Sequence, residues 1–372
     1  MNDVMSVINL SDPEEHIKEL TGSRALASLP ILGRYRVIDF MLSNLTNSGV
    51  KNVSIYTYGK TRSLTQHLGS GKHWGLDRKR DGLYLFHPDR VFEDNMPRKG
   101  DLENFINHID YLKYSSQKYV ILSRSYMICN IDFRPIVEEH KKSGADLTVV
   151  YKSLENHVGR FMGCDTLKLD ENQNVLNMGK SMGKERYYNI SLEMYVMERT
   201  KLVELIEKSI QVGDSNFLKE AIFNRMEGMK VKGYPFKGYL SCVNSVDNYY
   251  NTHQDLLSVT NAKDLFNENG NIYTKVMDAP STKYSETSCV NNSLIANGCI
   301  IEGTVENSIL FRDVHIKRGA IIRNSIILPN VEVGDATSLN YSIIDKNVKI
   351  TERKMLFGDA SSLFVIKKNS VL

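Results

Sequence analysis

No stretch of this 372-residue sequence approaches the ~18 consecutive apolar residues that span a membrane as a helix, and Met1 to Leu10 holds no basic segment followed by an apolar one. Both absences point to a cytoplasmic protein that does not enter a membrane. Cysteine is scarce: Cys129, Cys164, Cys242, Cys289 and Cys299 make an odd number with no C-x-x-C pair. That pattern argues against a zinc site or a disulfide framework and leaves free thiols in a reducing compartment. An excess of one charge is also missing. Lys and Arg total 47 against 44 Asp and Glu, a net charge of +3 that gives no sign of a nucleic-acid binder.

Glycine is missing where it would matter most. Val4 to Ile8 is an apolar run suited to a buried parallel strand, and the turn after such a first strand is where a doubly wound sheet holds phosphate. Backbone N–H groups make that contact, and glycines let the backbone approach the anion. Here the turn runs from Asn9 through Leu10, Ser11, Asp12, Pro13 and Glu14 to Glu15. It has no glycine, Pro13 removes a donor, and three carboxylates would repel a triphosphate while favouring a helix start.

What is present reads as two regions. Strand-like runs at Asn52 to Thr57, Tyr119 to Leu122 and Leu147 to Tyr151 alternate with helical patterns at Leu102 to Tyr114 and Ile136 to Ser143. Such alternation predicts an α/β domain with a mostly parallel sheet, over 1–257. From 288 to 372 the chain repeats: Asn292-Ser293-Leu294-Ile295, Asn307-Ser308-Ile309-Leu310, Asn324-Ser325-Ile326-Ile327 and Tyr341-Ser342-Ile343-Ile344 recur every 15 to 17 residues. About four coils of a parallel β-helix follow, each burying its branched residues against the next. The polar stretch 258–287 between the regions reads as a linker.

Arg24 to Gly49 organises the first region. Its block Gly33-Arg34-Tyr35-Arg36-Val37-Ile38-Asp39-Phe40-x-Leu42-Ser43-Asn44 closely resembles that of bacterial ADP-glucose pyrophosphorylases (glucose-1-phosphate adenylyltransferases). Ala145-Asp146-Leu147-Thr148-Val149, Tyr234-Pro235-Phe236-x-Gly238-Tyr239 and Ile343-Ile344-Asp345-Lys346-Asn347 extend the resemblance over nearly the whole chain. The resemblance implies a glycosyltransferase-A-like nucleotidyltransferase domain of Rossmann-like build, a C-terminal left-handed β-helix, and assembly as a tetramer. It also implies the family reaction: ATP and glucose 1-phosphate give ADP-glucose, for glycogen, and pyrophosphate.

Against that resemblance the departures fall on chemistry. Active members carry a Gly-Gly-x-Gly-x-Arg-Leu loop where this chain has its acidic turn, and Lys-Pro where it has Leu26-Ala27. Their two magnesium carboxylates fall on Ser125 and Cys242, and Glu193 replaces a glycine of the sugar pocket. Mg²⁺ is a hard cation that binds oxygen anions, and neither a hydroxyl nor a thiol substitutes well. Catalytic residues are therefore expected to be absent, with Leu26, Ser125 and Cys242 as the degenerate positions and no metal held by this chain. Lys180 corresponds loosely to the lysine that holds the sugar phosphate.

Arg24, Arg36 and Lys346 match basic positions that the family uses for anionic effectors, and guanidinium forks suit phosphate. Arg36 has a bland alternative, pairing with Asp39. His157 and His253 lack ligand spacing and read as surface histidines. The expected function is a regulatory, catalytically deficient subunit that joins a catalytic partner in a hetero-oligomer, with Mg²⁺ only in that partner, and responds to a phosphorylated effector. The alternatives are an active sugar nucleotidyltransferase with a rearranged site, or a self-associating binder of sugar phosphate or nucleotide.

Overall fold

A computed structural model describes residues 1–88, 100–155, 159–184 and 186–372, and His157 lies outside them. The chain forms two compact units, each assembled from separated segments. The first unit comprises Met1–Asp12, Phe40–Ser241 and Phe266–Tyr273; the second comprises Pro13–Asp39, Cys242–Leu265 and Thr274–Leu372.

The first unit is built on a nine-stranded mixed sheet. Val4–Asn9 runs at its centre, parallel to Asn52–Tyr56 on one side and to Tyr119–Ser123 on the other, and Gly82–Phe86 continues the parallel set. Every residue of Val4–Asn9 is buried, as expected for a strand covered on both faces. Tyr187–Glu198 then turns the sheet antiparallel by pairing with both Tyr119–Ser123 and Leu147–Glu155. Arg199–Val212 and its neighbouring helices close the core over Met5, Val7, Val120, Leu122, Leu202 and Ile206. The α/β class and mostly parallel sheet match the sequence expectation. The helical pattern at Leu102 to Tyr114 does not run through: it divides into Leu102–Asn107 and Ile109–Tyr114 at His108. The His108 ring stacks on Phe86 at 4.7 Å and its Nε2 meets the His87 carbonyl at 3.0 Å, which holds the backbone at φ −116°, ψ 23°.

The second unit is organised by a left-handed β-helix of three parallel five-stranded sheets. Its rungs are in strict register, Ile309 on Ile326 on Ile343 and Leu310 on Ile327 on Ile344. The inward branched residues form a fully buried column that includes Ile301, Val305, Ile316, Ile322, Val333 and Leu339. The repeat's first two residues make the corner. Asn292, Asn307, Asn324 and Tyr341 all take left-handed backbone, which asparagine tolerates better than other residues. The serine that follows accepts the N–H of its counterpart one coil on, so that Ser293, Ser308, Ser325 and Ser342 form a ladder at 3.0–3.1 Å. The stretch 258–287 carries the helix Val259–Phe266 and the strand Lys283–Tyr284, the first rung of one β-helix sheet.

The β-helix unit also takes in the hairpin of Pro30–Ile31 and Tyr35–Arg36 and the helix Val246–Asp255. Two residues one helical turn apart on that helix grip the hairpin. The Tyr249 hydroxyl donates to the Pro30 carbonyl at 2.7 Å, and His253 Nε2 accepts the Leu32 N–H at 3.1 Å. His253 is fully buried, which corrects the reading of it as a surface histidine. Its Nδ1–H donates to the Tyr249 carbonyl at 2.8 Å, and burial lowers its pKa to about 4, so the ring is neutral.

Candidate functional site

Ligands of open α/β sheets sit beyond the carboxyl ends of the strands. In the first unit those ends carry a closed set of charged side chains. After Tyr119–Ser123, Arg124 pairs through Nε with Glu193 Oε2 at 2.9 Å, and its Nη1 donates to the Ser11 carbonyl of the acidic turn. Burial works against the Arg124 charge, but Glu193, Asp12 and Asp101 outweigh it and raise its pKa. Ser125 donates its hydroxyl to Asp12 Oδ2 at 2.5 Å and its N–H to Oδ1 at 3.3 Å. Asp101 accepts from Asn9 Nδ2 at 2.7 Å, Ser11 Oγ at 2.6 Å and the Leu218 N–H at 2.7 Å.

Glu193 reaches this cluster because the strand is broken for it. Tyr187–Glu198 shifts register against Leu147–Glu155 between Ser191 and Tyr195, and Glu193 sits in the interruption at φ +51°. Its Oε1 accepts from the Tyr126 hydroxyl and from Lys219 Nζ at 3.0 Å, and Lys219 also pairs with Asp165. Burial raises the Glu193 pKa, and Arg124 and Lys219 more than reverse that, so it stays ionised. Asp165 moves the other way, held up by burial and by the charge of Glu193. Such a buried set is stable only while each charge keeps its partner. Asp165 and Lys219 were not singled out from the sequence, and no spacing tied Asp101 to this cluster, because the partners of these residues lie 26 to 117 residues away.

Lys180 lies exposed at the end of the edge strand Val175–Lys180, its backbone opposite Asp165. Leu26 is buried, with its N–H donated to Glu14 Oε1 at 2.9 Å. Cys242 is buried, its Sγ 3.4 Å from Asn244 Oδ1 and 3.5 Å from Asn248 Nδ2. These donor types do not fit Mg²⁺, which binds through carboxylates. Among the described residues, no group of three or more His, Cys, Asp or Glu side chains could hold a metal, and no helix is long and apolar enough to cross a membrane.

The second unit brings Arg24, Arg36 and Lys346 into one electrostatic neighbourhood. Arg24 is buried and pairs through Nη2 with Asp345 Oδ2. Asp345 Oδ1 accepts the Lys346 N–H at 2.6 Å. The Arg36 N–H donates to Asp39 Oδ2 at 2.9 Å, while burial and the charge of Arg24 lower its pKa against the pull of Asp39. Lys346 feels the crowding most. Burial and the charges of Arg36, Arg24 and Lys368 outweigh Asp345 and bring its pKa down to about 7. Asp345, the ion-pair partner of Arg24, stood inside a quoted motif, yet no spacing tied it to Arg24, 321 residues earlier.

A mixed α/β sheet with a β-helix of hexapeptide-like rungs defines a nucleotidyltransferase-type protein. Residues 15–256 match the family model described as nucleotidyl transferase, and 279–362 match that described as GlmU-like, C-terminal hexapeptide. The glycogen biosynthesis protein GlgD of Bacillus subtilis (strain 168) is 35% identical over 370 residues, 100% of this chain and 97% of that protein. The glycogen biosynthesis protein GlgD of Geobacillus stearothermophilus is 37% identical over 322 residues, 86% of this chain and 83% of its own length. The chain belongs to the nucleotidyl transferase family, among the homologues of GlgD.

Proposed function

We propose that this chain is a regulatory, catalytically deficient subunit of glucose-1-phosphate adenylyltransferase that acts in glycogen biosynthesis with a catalytic partner subunit. The observation that carries the reading is the ion cluster of Arg124, Glu193, Asp12 and Asp101 at the strand ends, where nucleotide phosphates would have to bind. Adenylyl transfer needs positioned cationic groups and a metal around the transferring phosphoryl group. Here Arg124 is engaged by carboxylates, Asp12 is engaged by Ser125, and the Cys242 position offers a thiol. Mg²⁺ is then required only in the catalytic partner.

What remains for this chain is to sense and transmit. The charges of Arg36 and Arg24 act against that of Lys346, so a phosphorylated effector would relieve repulsion that the folded protein otherwise bears. A charge-linked site of this kind changes a partner's activity through a shared equilibrium. The purified chain supplied with ATP, glucose 1-phosphate and Mg²⁺ is expected to form no ADP-glucose. Turnover by the isolated chain that disappears in Ser125→Ala or Cys242→Ala would establish the rearranged-site enzyme instead.

A further inference from the structure

The strand Tyr187–Glu198 gives up regular pairing at one place, and the side chain set there is a carboxylate. Ser191 stands opposite Tyr151 and Tyr195 opposite Val149, so Leu192, Glu193 and Met194 span the interval that Val150 alone fills on the other strand. Glu193 takes left-handed backbone at φ +51°, and its N–H donates to Ser191 Oγ at 3.1 Å. That conformation is unfavourable for a residue with a long side chain, and strain of this kind gathers where a chain shapes a binding site. The bulge aims the side chain inward and leaves the residue 3% exposed.

The carboxylate is held as a bound anion is held. Arg124 Nε meets Oε2 at 2.9 Å, while Lys219 Nζ at 3.0 Å and the Tyr126 hydroxyl converge on Oε1. Arg124 and Tyr126 come from the segment between Tyr119–Ser123 and Met127–Ile128, and Lys219 from the helix Leu218–Phe223. Charge-assisted donors that converge on two oxygens from separate elements are the make-up of a carboxylate site. The side chains of Lys219 and Arg124 keep 21% and 12% of their surface exposed, which gives a small solute a way to these donors once Glu193 is gone. The remaining charges limit what fits. Asp165 pairs with Lys219, and Asp12 and Asp101 act on Arg124. These carboxylates leave room for the single negative charge that Glu193 supplies, and a dianion would set its second charge against them.

We infer that Arg124, Lys219 and Tyr126 form a binding site for a small carboxylate, which Glu193 fills from within the chain and so shuts to solutes. Glu193 is thereby the residue that decides what this part of the strand ends admits. The site is tested without a partner subunit and without turnover, so its failure would leave the regulatory reading untouched.

The test is chemical rescue of Glu193→Gly, which removes the carboxylate and suits the left-handed backbone. The rescuing solute is propionate, the Glu193 side chain with a hydrogen in place of its bond to Cα. The variant should melt well below the wild type, and propionate should raise its melting temperature with saturation, as a ligand of the folded state does. Wild type and Glu193→Gln, whose side chains still fill the site, should not respond, nor should Glu193→Gly respond to 1-propanol. Inorganic phosphate at pH 8, mostly a dianion, should need about tenfold more concentration for the same shift beyond its effect on wild type. Arg124→Met added to Glu193→Gly removes the unpaired buried cation, so the double variant should melt above the single one and ignore propionate. If Glu193→Gly does not fold by itself, rescue is read as propionate-dependent recovery of its far-ultraviolet circular dichroism, and a folded double variant shows that glycine at 193 is tolerated. No effect of propionate on Glu193→Gly beyond that on wild type, an equal effect on the double variant, or phosphate acting better than propionate would overturn the assignment.

Discussion

Ser125 gives its hydroxyl to Asp12 across 2.5 Å, so the position that the sequence resemblance aligns with a magnesium carboxylate of active members is here the donor to a buried carboxylate. Placing an aspartate there sets two anions against each other. Ser125→Asp, alone or with Cys242→Asp, is expected to yield no ADP-glucose and to destabilise the protein by roughly 2–4 kcal/mol through a lost hydrogen bond and like-charge repulsion. A coupled turnover assay and thermal unfolding check both parts. Recovered turnover would refute the first.

The cluster around Glu193 should behave as one unit. Glu193→Ala leaves the buried Arg124 without its ion-pair partner and takes one of two carboxylates from Lys219, with an expected loss of ~3–5 kcal/mol in denaturant unfolding. Asp132→Asn, which breaks the exposed pair with Arg134, should give no measurable change. Equal effects from the two substitutions would mean that the cluster is not held by its charges.

Acid should weaken the fold through two buried histidines. His140 and His253 both have folded pKa values of about 4, lowered chiefly by burial, against 6.5 for the free side chain. Between pH 6.5 and 4 the unfolded chain therefore binds protons that the folded chain refuses, and stability falls as pH falls through that window. Each pH unit costs up to ~1.4 kcal/mol per histidine. His140→Gln and His253→Gln should each flatten the acid limb of a plot of melting temperature against pH.

Lys346 sets a second pH dependence, of anion binding. With a folded pKa of about 7 against 10.5, it loses its charge in the folded protein well before it does in the unfolded one. Stability should accordingly rise with pH between about 7 and 10.5, and inorganic phosphate should bind more tightly as pH falls from 8.5 towards 6.5. Lys346→Arg, which stays protonated, should bind phosphate with little pH dependence. Arg36→Ala should weaken the response to phosphorylated sugars at every pH, and an unchanged response would remove the site.

How far these features could be read from the sequence depended on the range of the interactions behind them. The β-helix was legible because each coil repeats the same local solution, a corner residue in left-handed backbone, a serine and two branched residues. The central strands were legible because burial on both faces forces continuous apolar runs such as Val4 to Ile8. Glu193 stood out as an intrusion, but its role came only from Arg124 and Lys219, brought to it by other strands and helices. His253 was misread because its neighbours in sequence are polar, while its burial comes from the Pro30–Arg36 hairpin and from Phe311, whose ring centroid lies 6.0 Å away. The break at His108 likewise depends on Phe86, a strand away.

The measurement that bears most directly on the regulatory reading is a reconstitution. ADP-glucose formation would be followed for this chain alone, the catalytic subunit alone and their mixture, each with and without phosphorylated sugars. The expected result is no turnover by this chain, and a mixture whose rate or effector response differs from that of the catalytic subunit by itself. A mixture that matches the catalytic subunit in both rate and effector response would contradict it.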